Sequence, residues 1–140
     1  MKKLIFEIKY KKDLFAMIIK EKRRFIKKGV DFISKSSDLL QIGFLNHNKN
    51  HKIKSHIHIR KKRVINYCTE ILLVENGKVG IKFYDNKGKD IKKDKILYKG
   101  DIIILFKGGH GFKFYKNTKI IEIKQGPYIE GKDKKILKIK

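Results

Sequence analysis

A single cysteine, Cys68, stands in 140 residues, which rules out an internal disulfide and suits a reducing compartment, the cytoplasm. Cys68 is read as a small, partly buried apolar side chain. Long apolar runs are missing too. None reaches the about eighteen residues that a membrane span requires. Met1-Lys2-Lys3-Leu4-Ile5-Phe6 opens as a signal peptide would, but Glu7 and Lys9 break it before an apolar region develops, so no export signal is read. Arginine is scarce, with 4 Arg against 33 Lys, and one Ala stands against 24 Ile. That skew is what AT-rich coding produces, lysine filling the solvated positions. The net charge of +23 therefore argues less for nucleic acid than its size suggests. Arg is the residue of bidentate phosphate and base contacts, and the lysines are spread along the whole chain. Nucleic acid is placed last among the partners. The expected surface is mostly solvated, with one dense basic cluster at Arg60-Lys61-Lys62-Arg63.

At this length one domain with an ordinary core is expected. Leu4, Phe6 and Ile8 alternate with charged neighbours, as in a short strand. From Asp13 to Phe25, Leu14, Phe15, Ile18, Ile19 and Phe25 recur at helical spacing. Asp13 is placed as N-cap and Lys27-Lys28-Gly29 as the end. Residues 1–29 are thus read as a strand-helix extension packed outside a main domain of residues 30–140. Short strands separated by turn residues follow: Val30 to Ser34, Leu40 to Phe44, Ile53 to Ile59, Thr69 to Glu75 and Lys78 to Tyr84. Further strands are read at Ile96 to Tyr98, Asp101 to Phe106, Gly111 to Tyr115 and Lys119 to Lys124. Asn76-Gly77 carries the strongest short hairpin signal. Many short strands without βα alternation predict an all-β sandwich or barrel.

His56-Ile57-His58 carries the most chemistry. On a strand, residues two apart share a face, so both rings can converge on one point. Glu70 and His110, on neighbouring strands, would complete a set of three nitrogens and one oxygen suited to a divalent first-row metal. His47 and His51 fall in a polar loop and are read as solvated.

The order His56, His58, Glu70, Gly77 and then Gly100-Asp101…Gly108-Gly109-His110 resembles the two motifs of the cupins, over roughly residues 38 to 126. Asn50 stands where the first motif opens on glycine. The gap between His58 and Glu70 holds eleven residues, which implies a longer loop carrying the basic cluster. Phe106 replaces a proline, and Phe114 stands where Asn is usual. Leu40-Gln41-Ile42-Gly43, Gly108-Gly109-His110-Gly111-Phe112 and Glu122-Ile123-Lys124-Gln125-Gly126-Pro127-Tyr128 are similar to stretches of small single-domain bacterial cupins.

The resemblance implies a jelly roll (a double-stranded β-helix) and a homodimer. It also implies a mononuclear Fe, Mn, Ni, Co or Zn site on His56, His58, Glu70 and His110. The expected substrate is small and polar, carbohydrate or nucleotide sugar. Gln41, Arg60, Arg63 and Tyr128 are the candidate substrate contacts, and His58 and Gln41 the candidate catalytic groups. Two alternatives stand beside this. One is a metal-free nucleotide-sugar isomerase or epimerase with His56 or His58 as base. The other is a module that binds a small ligand without turnover.

Overall fold

The computed structural model describes residues 4–139. Met1-Lys2-Lys3, the cationic start of the signal-like stretch, lies outside them. The chain divides into two compact units, Met1–Arg23 with Tyr67–Lys140, and Arg24–Asn66. The described residues form strands, turns and one short 3₁₀ turn at Glu21–Arg23, so the all-β class read from the sequence holds.

In the first unit, β1 (Ile5–Tyr10), β2 (Asp13–Ile19), β5 (Glu70–Asn76), β8 (Ile102–Leu105) and β10 (Lys119–Lys124) build one sheet in the order β1-β2-β8-β5-β10. A second sheet has the order β7-β6-β9, from β7 (Lys95–Tyr98), β6 (Lys78–Tyr84) and β9 (Gly109–Phe114). All their pairings are antiparallel. Alternate residues of both sheets meet in one core. Ile8, Ala16, Ile18, Leu72, Val74, Ile103 and Leu105 come from the large sheet, and Val79, Ile81, Phe83 and Leu97 from the small one.

Asp13–Phe25 is not a helix. Residues 13–19 are strand β2, flanked by β1 and β8, so the segment lies within the large sheet rather than outside the fold. Flanked on both sides, the strand buries Phe15, Ala16, Met17, Ile18 and Ile19 in succession. A strand covered on both faces loses the alternation that distinguishes it from a helix. Between Ile8 and Lys9 the register shifts, leaving Phe15 without a partner across the ladder. That bulge turns Phe15 and Ala16 into the same core. Asp13 caps no helix; it pairs with Lys107 Nζ at 2.7 Å.

Asn76-Gly77 does not close a hairpin. β5 and β6 belong to different sheets, and the chain changes sheet at Gly77, whose φ is +98°. A Cβ there would come within 2.4 Å of Thr118 Oγ1, so glycine serves the positive φ and the close backbone approach together.

The second unit carries the two-stranded sheet of β3 (Gly29–Phe32) and β4 (Gly43–Asn46), paired from Gly29↔Asn46 to Phe32↔Gly43. The Leu40 to Phe44 strand is therefore displaced toward the C-terminus. Ile42 N donates to Ser34 Oγ and Ile33 N to Ile42 O at the base of the hairpin. Ile53–Ile59, expected as a strand, has no regular structure. Its alternation is real, but no neighbouring strand accepts its amides, and an unpaired strand gains nothing from β propensity.

Candidate functional site

Glu70 opens β5 and is paired with Leu105 and Lys124 in the ladders. It shares a face with Leu72 and Val74, which point into the core. His110, on β9, is opposite Phe83 and shares a face with Phe112, which packs against that core. Glu70 from the large sheet and His110 from the small one thus face each other at the same end. Glu70 Oε2 and His110 Nε2 stand 3.4 Å apart, with the side chains 16% and 29% exposed.

The pair is held from several sides. The Phe112 ring meets His110 edge-on, centroids 5.5 Å apart. Gly108, with φ +80°, turns the chain into β9, and a Cβ there would lie 2.4 Å from the Phe15 ring. Gly109 has Leu137 Cδ1 2.3 Å from where its Cβ would be. At Gly108 the Phe15 ring and the positive φ both exclude a side chain, whereas at Gly109, the first residue of β9, only the flexible end of Leu137 would have to move.

Charges alternate around the pair. Lys124 shares the inward face of β10 with Glu122 and Ile120, and its Nζ lies 3.3 Å from Glu122 Oε1. Its ammonium is held above the ordinary lysine value, first by the hydrogen bond to Glu122 and then, against some burial, by the charges of Glu122 and Glu70. The Glu70 carboxyl lies below the ordinary glutamate value. The hydrogen bond from His110 is the main cause; burial opposes it, and the positive charges of Lys124 and Lys134 assist. Cys68, two residues upstream, is shifted the other way. Burial raises its thiol first and the Glu70 carboxylate adds to that, so it stays protonated and is not an activated nucleophile. Its Sγ donates to Gln125 O at 3.5 Å, while Gln125 Oε1 accepts the Thr69 amide at 3.1 Å. Gln125 thus ties the end of β10 to the start of β5.

In the tautomer that places Nε2–H toward the carboxylate, the His110 ring keeps its lone pair on Nδ1. The arrangement can orient an imidazole, accept a proton and attract an anionic or hydroxyl-bearing ligand through Lys124 and Glu122.

The remaining expected residues are placed differently. His56 and His58 lie in the exposed part of the second unit with ring centroids 5.4 Å apart, and His56 Nδ1 donates to Lys54 O at 2.9 Å. Arg60 and Arg63 follow in the same exposed stretch. Gln41 Nε2 donates to Lys35 O at 2.9 Å within its own loop. Tyr128 is exposed, its ring 5.1 Å from Lys124 Nζ. His47 and His51 stack at 4.0 Å with planes 6° apart, and His47 Nε2 is buried without a hydrogen-bond partner, so His47 is not the solvated residue its loop suggested. Among the described residues no three of His, Cys, Asp and Glu gather as a metal would need.

Sequence reasoning passed over Glu122 and Lys124 as site residues. The signal was there in the β10 register, which puts positions 120, 122 and 124 on one face. It also left Asp101 without a structural role. This carboxylate is buried, pairs with Lys20 and accepts the amides of Glu21 and Tyr98 at 3.2 and 3.0 Å. Lys20, Asp101, Leu4, Phe6 and Tyr98 line an open concavity of about 540 Å³. It sits at the other end of β5 and β8 from Glu70, since Val74 N bonds to Asp101 O while Glu70 pairs with Leu105. Asp101 and Lys20 are committed to each other there. No family model, curated protein or solved structure matches the chain.

Proposed function

We propose that the chain is a cupin-type jelly roll that takes a small polar ligand, of the sugar-phosphate or nucleotide-sugar class, at the Glu70–His110 mouth. The observation that supports this is the inward carboxylate–imidazole pair, one partner from each sheet, in an otherwise apolar core. A partly exposed polar pair at the open end of an apolar core suits a small-ligand site. Glu70 orients the ring, His110 is the proton acceptor, and Lys124 is the anchor for negative charge. A base of this kind is what isomerisation or epimerisation next to a carbonyl requires. The same residues serve a ligand bound without turnover.

Thermal unfolding with a panel of sugar phosphates and nucleotide sugars tests the assignment. A ligand at a hundred times its Kd should stabilise the wild type by about 2.7 kcal/mol. His110→Ala and Glu70→Gln should abolish that gain. Equal stabilisation of the variants, or none by any member of the panel, overturns it.

Metal loading is the second reading of the same mouth. Glu70 and His110 supply one oxygen and one nitrogen, a partial donor set for a first-row ion, and no step above depends on one. Elemental analysis of protein purified without an affinity tag decides it, with His56→Ala/His58→Ala and Glu70→Gln/His110→Ala alongside. About one metal per chain, lost from either double variant, assigns that pair as ligands; a wild type that stays empty after incubation with Fe, Mn, Ni, Co and Zn ends the reading. A homodimer is part of the proposal. The edge strand β10 exposes Ile121 and Ile123, and sedimentation should report twice the chain mass.

A further inference from the structure

Residues 52–66 are exposed throughout, have no regular structure, and their backbone joins no ladder among the described residues. They hold six cations, Lys52, Lys54, Arg60, Lys61, Lys62 and Arg63, and no carboxylate; between Asp38 and Glu70 the chain has no acid at all. The segment is not only charged. Ile57 and Ile59 are 89% and 86% exposed, and Val64 and Ile65 are exposed as well. An apolar pair therefore stands on each side of the four-cation run. Two of the four arginines fall in that run.

We propose that residues 52–66 are a docking arm for an anionic phospholipid surface. A bilayer uses both components. The cations neutralise headgroup phosphates while the flanking aliphatic side chains enter the boundary beneath, and the two together bind where either alone is marginal. Lysine and arginine stems add apolar length under their charged heads. A nucleic-acid strand would use the cations alone. The arm's rings are the two imidazoles of His56 and His58, with no Phe, Tyr or Trp as a stacking platform for bases, and its isoleucines would stay in water. A second copy of this chain would bring a second cationic arm and be repelled. No helix among the described residues is long and apolar enough to cross a membrane, so the arm itself engages the surface without spanning it.

Co-sedimentation of the full chain with phosphatidylcholine vesicles, with and without roughly one-third phosphatidylserine, is the test. Binding is expected only with phosphatidylserine, and it should weaken as salt is raised. Arg60→Ser/Lys61→Ser/Lys62→Ser/Arg63→Ser should reduce partitioning more than tenfold, and Ile57→Ser/Ile59→Ser severalfold. Both should melt as the wild type does, because the substituted side chains are exposed. Lys93→Ser/Lys95→Ser/Lys99→Ser/Lys116→Ser, which removes equal charge from exposed positions elsewhere, should retain binding. Three results would overturn the proposal: no binding to phosphatidylserine vesicles, equal loss in that control, or arm variants that lose affinity for single-stranded RNA while vesicle binding is unchanged.

Discussion

Glu70 ties the charge state of one carboxyl to a partner on the other sheet. Its carboxyl titrates below the ordinary glutamate value because His110 donates to it. A group with a depressed folded pKa stabilises above its unfolded value and loses that stability as pH falls through the folded one. Glu70→Gln should therefore lower stability by about 1 kcal/mol at neutral pH. The difference from the wild type should shrink as pH drops below the ordinary glutamate value of 4.5. Urea melts of both proteins from neutral to acid pH will measure it; a difference that does not change with pH would mean the carboxylate is not what His110 holds. Gly108 acts through space and backbone together. Gly108→Ala must adopt a positive φ and drive a methyl into the Phe15 ring, costing about 3 kcal/mol. Gly29 has a similar φ, +81°, but open space around it, so Gly29→Ala should cost about 1 kcal/mol. Denaturant midpoints separate the two, and equal losses would show that the Phe15 contact contributes nothing.

At the scale of elements, β8 is the centre of the large sheet, with β2 on one side and β5 on the other. Its Ile102, Ile103, Ile104 and Leu105 are all buried. Ile103 is fully enclosed in the shared core, so Ile103→Ala should destabilise by about 2–5 kcal/mol, read as a fall in the urea midpoint with an unchanged slope. A loss under 1 kcal/mol would mean that the sheets close over the gap. The same centrality explains where element reading failed. β2 is apolar on both faces, so its sequence fits a helix and a buried strand equally, and only its position between β1 and β8 decides. Strands with one clear face, β1, β5, β6 and β10, were legible within a residue or two. Residues 53–59 have the alternation of a strand and no partner, a fact that pairing alone reveals.

For the whole molecule, a charge of +23 on 140 residues means substantial self-repulsion of the compact state. Added salt should relieve it. The screening length falls from about 30 Å at 0.01 M to about 10 Å at 0.1 M, and Tm should rise over that interval with sodium chloride. A flat or falling Tm would show that ion pairs such as Lys20–Asp101 and Lys107–Asp13 outweigh the repulsion.

Composition and periodicity by themselves determined the all-β class and most strand positions, while Glu70 and His110 were singled out by the cupin-like order of the motifs. Class and strand positions are local properties, carried by side-chain alternation and turn residues. Tertiary structure alone decided which strands pair, that Gly77 changes sheet instead of closing a hairpin, and that Glu70 meets His110 across the core while His56 and His58 lie in an exposed arm. Residues forty apart in sequence meet only when two sheets pack on a common apolar face, and no local pattern encodes which faces will meet.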